Sequence, residues 1–136
     1  MGQNNLLEHA KEIWHKAYVP YSKFRVGAAI RTKSGKIYQG CNIENAAYPV
    51  TCCAERVAIF KAISEGELEF DRLAVVADTD RPVPPCGSCR QVLSEFCEPH
   101  MEVEIANLKG DVKVMTMEQL LPFSFTPKDL EAGQEG

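Results

Sequence analysis

The sequence has no apolar run approaching the roughly 18 residues that a membrane-spanning helix requires. Its polar start, Gly2-Gln3-Asn4-Asn5, lacks the hydrophobic region of a secretory signal. A cytoplasmic protein with no membrane partner is the expectation. Excess positive charge is also missing: 15 Lys and Arg against 19 Asp and Glu give a formal net charge of −4. A broad basic surface for nucleic acid is therefore not expected, and a small, near-neutral partner fits better. Neither an internal repeat nor a linker divides the chain. Its 136 residues suit a single domain over 1–136, ending in a flexible tail at 127–136. With 45% hydrophobic and 25% charged residues, the chain can build its core without disulfides.

What the sequence does hold in quantity is cysteine, six residues in all. Without an export signal they read as reduced thiols or metal ligands rather than a disulfide framework. Four of them fall in two stretches that organise the rest, Thr51-Cys52-Cys53-Ala54-Glu55-Arg56 and Pro85-Cys86-Gly87-Ser88-Cys89-Arg90. Three thiols can hold a Zn²⁺ and leave a coordination position open for water, and a neighbouring carboxylate can move that water's protons.

Apolar residues at helical spacing predict an opening amphipathic helix over 6–18, stopped by Pro20. His9 and His15 lie on or near its polar side and carry no assigned role. A strand follows over 24–32, whose small residues suggest close packing by a helix, then a turn at 33–36 and a strand over 37–41. Residues 42–49 read as a loop, and a helix begins near Cys53 with Val57, Ala58, Phe60, Ala62 and Ile63 as its buried stripe, ending near Gly66. The continuous apolar run at 73–77 fits a central strand covered on both faces. Beyond the proline-containing loop at 78–85, a helix over 87–97 packs Val92, Leu93, Phe96 and Cys97 inward. Strands over 102–106 and 112–114 follow, and Thr116 opens a short helix that Pro122 stops. The order α-β-β-α-β-α-β-β implies helices packed on a mixed sheet.

Both cysteine stretches therefore sit at helix starts, where free backbone N–H groups and the helix dipole favour thiolates. Cys86 and Cys89, two residues apart, can aim both sulfurs at one metal, with Cys53 as the distant third ligand. Composition alone does not rank the adjacent Cys52 and Cys53. Glu55 favours Cys53, because Cys-Ala-Glu at a helix start can set the carboxylate beside the open coordination position. Cys41, Cys52 and Cys97 then read as packed thiols. Three thiolates on Zn²⁺ leave a net negative charge that Arg56, more than Arg90, is suited to offset. Two other readings use the same residues: a dithiol redox protein built on Cys86 and Cys89, and a zinc-stabilised binding module with Cys41, Cys52 or Cys97 as a fourth ligand.

Cys53-Ala54-Glu55 with Pro85-Cys86-Gly87-Ser88-Cys89 resembles the zinc-dependent cytidine deaminases. The resemblance extends through Tyr21-Ser22-Lys23-Phe24, Val26-Gly27-Ala28-Ala29, Asn42-Ile43-Glu44-Asn45, and Leu120-Leu121-Pro122 followed by Phe125. It is closest to the small, homotetrameric members with three cysteine ligands. It implies a three-layer α/β/α fold with a mixed sheet of about five strands and one Zn²⁺ per subunit. The implied reaction is hydrolytic deamination of cytidine and deoxycytidine for pyrimidine salvage, in pockets at subunit interfaces. Carried over onto this sequence, it makes Cys53, Cys86 and Cys89 the metal ligands and Glu55 the catalytic acid and base. Asn42 and Glu44 then hold the ribose of a nucleoside, Phe24 packs against the pyrimidine, and backbone at Ala54, Pro84 and Cys86 contacts the base and leaving group. Phe125 reaches a neighbouring subunit's pocket, and Arg56 supports a thiolate.

Overall fold

The apolar run at 73–77 lies at the centre of the molecule. In the structure, a computed structural model that describes residues 5–122, it belongs to β3 (Phe70–Ala77), the middle strand of a five-stranded sheet. The sheet order is β2-β1-β3-β4-β5, with β1 at Val26–Thr32, β2 at Ile37–Cys41, β4 at Glu102–Asn107 and β5 at Val112–Thr116. The β1/β2, β1/β3 and β4/β5 pairs are antiparallel, while β3 and β4 run parallel, so the sheet is mixed. The parallel pair needs a crossover helix, and α3 (Gly87–Phe96) supplies it.

Helix α1 (Leu6–Trp14) covers one face of the sheet, and α2 (Ala54–Ser64) covers the other beside α3. This is the expected three-layer α/β/α arrangement. Alternation along the strands builds two separate cores. Ala28, Ile30, Leu73, Val75, Val103 and Ile105 face α2 and α3, whereas Ala29, Ala74, Val76 and Ala106 pack with Leu6 and Ala10 of α1. Because β3 contributes to both, its sequence has no polar alternation at these positions.

The small residues of the first hairpin admit both helices. A Cβ on Gly27 would stand 2.2 Å from the carbonyl oxygen of Ala10 in α1. One on Gly40 would stand 2.4 Å from both the Ala54 carbonyl oxygen and the Ala58 nitrogen in α2. The two glycines thus let α1 and α2 lie close against opposite faces.

Three features differ from the sequence reading. Helix α1 stops at Trp14 rather than continuing to 18, because the Tyr18 amide donates to the Asn42 carbonyl and Tyr18 bridges to Ile43. Strand β1 starts at Val26, not 24, since Lys23 takes a left-handed φ of 63° and breaks the extension. In α2 the buried residues are Ala54, Glu55, Ala58, Ile59 and Ala62; Phe60 faces outward, 45% exposed. At the other end of the chain Thr116 caps α4 (Met117–Leu120), accepting from the Gln119 amide while the Gln119 side chain accepts from the Thr116 amide. Residue 125 and the expected tail at 127–136 lie outside the described residues.

Candidate metal centre and active site

Residues 53 and 86 each stand immediately before a helix. Cys53 is the N-cap of α2 and Cys86 that of α3, and both have extended backbones, which turns their sulfurs off the helix axis. Backbone bonds from Val57 to the Cys53 carbonyl and from Arg90 to the Cys86 carbonyl close the two first turns. Cys89 lies within the first turn of α3, fully buried. The Cys53 and Cys86 sulfurs are 3.7 Å apart, and those of Cys86 and Cys89 3.4 Å. All three ligand atoms fall within 4.8 Å of one another. A soft, all-sulfur set of this kind suits a single Zn²⁺ with one position left for a non-protein ligand.

The backbone separates Cys52 from Cys53. The amide and carbonyl of Cys52 pair with those of Ile43 at 2.9 Å each, and the sulfur belongs to no metal cluster among the described residues. Cys41 and Cys97 stay outside the cluster as well. Burial raises the pKa of Cys41, Cys52 and Cys97, the last to about 12, as befits packed thiols. The cluster behaves differently. The Cys89 thiol and the Arg56 guanidinium hold Cys53 down to about 5, while Cys89 is pushed up by sharing a proton with Cys53 and by burial.

Arg56 reaches the cluster from α2. One of its terminal nitrogens donates to the Cys53 sulfur at 3.4 Å and to the Thr51 carbonyl at 3.5 Å. Glu55 points into the same centre, 5% exposed, with Oε1 3.9 Å from the Cys89 sulfur. Burial is the main cause that lifts its pKa to about 7, so the carboxyl can hold or release a proton near neutrality.

The centre forms one end of a cavity of about 700 Å³. Val75 and Ala77 of β3 form its floor; its walls include Phe24, Asn42, Glu44, Ala54, Val83 and Pro84. The structure thus brings Phe24, Asn42, Glu44, Cys53, Ala54, Glu55, Pro84 and Cys86 to the lining of this cavity, while Arg56 and the fully buried Cys89 stand outside that lining and join the site through the sulfur cluster. Asn42 also pins the start of β1: its Oδ1 accepts from the Val26 amide at 2.9 Å and its Nδ2 donates to the Phe24 carbonyl at 2.8 Å. Glu44 accepts from the Tyr21 and Ser22 amides at 3.0 and 3.1 Å and from the Ser22 hydroxyl. The Ser22 hydroxyl is the main cause that lowers the Glu44 pKa, keeping the carboxylate charged.

The family model for the cytidine and deoxycytidylate deaminase zinc-binding region matches residues 2–104. The chain belongs to this deaminase family. It is 53% identical to the cytidine deaminase of Sporosarcina psychrophila, over 99% of each chain. Its identity to the cytidine deaminase of Halalkalibacterium halodurans is 51%, over 96% of this chain and 98% of that one. The crystal structure of cytidine deaminase from Burkholderia pseudomallei superposes with a TM-score of 0.86, at 49% identity, covering 88% of this chain and 96% of that one. In a family with a zinc-binding region, the clustering of Cys86 and Cys89 with Cys53 fits one zinc site and weighs against a two-thiol redox exchange. The set also stays open, without a fourth cysteine among the described residues.

Sequence reasoning ranked Arg90 below Arg56 as a partner of the thiolates and passed over Asn107. Arg90 lines the cavity, and its guanidinium donates to the backbone carbonyls of Pro85 and Leu120. Asn107 is fully buried; its amide donates to the Asp80 carbonyl and the Asp111 carboxylate, and its oxygen accepts from the Lys109 and Asp111 amides. Every one of these bonds but the one to the Asp111 carboxylate is made to main chain, which leaves no spacing pattern to read.

Proposed function

We propose that this protein deaminates cytidine and deoxycytidine to uridine and deoxyuridine, releasing ammonia, and serves pyrimidine salvage in the cytoplasm as a homotetramer. The observation that carries the reading is a buried Glu55 carboxyl beside a three-thiol cluster, in a cavity also lined by Asn42 and Glu44. That pairing supports a proton-moving group next to a Lewis acid, at a site with sugar-binding side chains.

Cys53, Cys86 and Cys89 would hold Zn²⁺, which when bound supplies a Lewis acid able to make water nucleophilic near neutral pH. Glu55 takes the proton of the incoming water on its carboxylate and delivers it to N3 of the pyrimidine as C4 is attacked. It then carries the proton of the new C4 hydroxyl to the exocyclic amine, so that the C4 carbonyl forms as the C4–N bond breaks and ammonia leaves. Burial of Glu55 keeps both states within reach. Arg56 offsets the charge of the thiolates through Cys53.

Phe24, 43% exposed, offers its ring to the pyrimidine. Asn42 retains one N–H and a lone pair beyond its two backbone bonds, and Glu44 retains acceptor capacity; both suit ribose hydroxyls. A charged Glu44 disfavours a nucleotide phosphate nearby, which supports nucleoside over nucleotide. Ala54 lies on the cavity wall beside Glu55 and contacts the base. Phe125 is assigned to a neighbouring subunit's pocket. The exposed Tyr48 and Val83 on the cavity lining support cover by another subunit.

The test is turnover of cytidine, deoxycytidine, cytosine and deoxycytidine monophosphate by purified protein, with Glu55→Gln as control. The variant is expected to keep zinc and lose at least about a hundredfold in kcat, the range for a general acid/base. Normal turnover by zinc-loaded Glu55→Gln protein removes Glu55 from the mechanism.

A further inference from the structure

The loop from 78 to 86 carries Cys86 to the metal centre, and its last peptide is held from an unexpected direction. Arg90 Nε donates to the Pro85 carbonyl at 2.7 Å, and Nη1 of the same guanidinium donates to the Leu120 carbonyl at 2.8 Å. The Arg90 amide meanwhile donates to the Cys86 carbonyl at 3.0 Å. One residue therefore engages the two successive carbonyls at 85 and 86 and ties them to the end of α4. Pro85 is buried and Arg90 half-buried, so the Pro85 carbonyl has little recourse to water.

We propose that Arg90 is a positioning residue, one that fixes the Pro85-Cys86 peptide against α4 and so sets the Cys86 sulfur for metal binding. The inference rests on the reading of Cys86 as a zinc ligand. Cys86 needs such support more than its partners do. Cys89 is buried inside α3 and Cys53 is bonded by Arg56, whereas Cys86 is exposed and precedes the helix. No other side chain in the described residues is bonded to the Pro85 carbonyl. A guanidinium is suited to this task because its planar fork can donate in two directions at once without rearrangement; an ammonium offers a single flexible head.

The second arm has its own consequence. Leu120 is the last residue of α4, and the chain continues from there toward Phe125. Arg90 thus fixes, with one planar group, both the metal-bearing peptide and the point from which the C-terminal segment departs.

The experiment measures the rate of zinc release to a chromogenic chelator from Arg90→Ala, Arg90→Lys and the unsubstituted protein, together with kcat, KM and thermal midpoint. Arg31→Met, which loses an exposed ion pair to Asp71 instead, is the control for loss of an arginine. Arg90→Ala is expected to release zinc at least about tenfold faster, the effect of removing a group that orients a ligand. Arg90→Lys should fall between the two, because an ammonium reaches one carbonyl at a time. A purely structural role would lower the thermal midpoint without changing release from the folded protein. Unchanged release from folded Arg90→Ala, or from folded Arg90→Lys should the alanine variant not fold, overturns the proposal. Lack of stoichiometric zinc in the unsubstituted protein overturns the metal reading itself, and is seen before any variant is compared.

Discussion

Gly40→Ala tests how closely the scaffold sets the catalytic geometry. The added methyl would start 2.4 Å from two backbone atoms of α2, the Ala54 oxygen and the Ala58 nitrogen, where ordinary contact begins at 3.4 Å. Neither atom can rotate away, so helix and strand must separate by about 1 Å. Overpacking of this kind costs about 3 kcal/mol, equivalent to a fall of roughly 10 °C in Tm for a domain of this size. Activity should suffer further, because Ala54 lies between Cys53 and Glu55 and the whole helix start would move with it. A displacement near 1 Å at reacting groups can cost about a hundredfold in rate. Thermal melts, zinc content and cytidine turnover on the same preparation give the three readouts. Gly35→Ala is the contrast, since its site has nothing within 4 Å and only a positive φ of 97° to oppose a side chain. It should cost about 1 kcal/mol and leave turnover alone. A Gly40→Ala protein with unchanged Tm and turnover would refute the argument that the glycine sets the position of α2.

Three more outcomes are expected. Asn107→Ala should lower stability by about 2–3 kcal/mol in urea unfolding, since the Lys109 and Asp111 amides and the Asp80 carbonyl all lose a buried partner. Ser22→Ala should raise KM for cytidine about tenfold with kcat little changed, because the hydroxyl that orients Glu44 is lost while the metal end is untouched; an unaltered KM would separate Ser22 from substrate binding. Dialysis against a strong chelator should abolish turnover, and one equivalent of zinc should restore it, as followed by a coupled ammonia assay.

Much of this was legible in the sequence because it follows from short-range pattern. The apolar run at 73–77 fitted a strand covered on both faces, and the small residues of the strand over 24–32 suggested that a helix packs close, as α1 does at Gly27. The cysteine stretches declared themselves through spacing at helix starts, and the position of Glu55 separated Cys53 from Cys52. What stayed hidden was non-local or periodically ambiguous. Helix α2 carries apolar residues on most of its circumference, so periodicity alone did not choose between Ile59 and Phe60 for the core. Helix α1 ended early through a main-chain bond between residues 18 and 42. Arg90 resembled a surface charge because its partners are carbonyls at positions 85 and 120.

The cavity floor has a consequence for how such an enzyme could change over generations. Val75 and Ala77 belong to the strand whose neighbouring residues, Ala74 and Val76, fill the opposite core. A substitution that reshapes this floor must keep a strand shared by two cores in register, and most would be lost to misfolding before altering specificity. The wall residues at 44–51 and 81–85 lie outside the sheet and are not shared between the two cores. Divergence toward other aminated heterocycles would therefore be written in the loops, with the central strand handed on nearly unaltered.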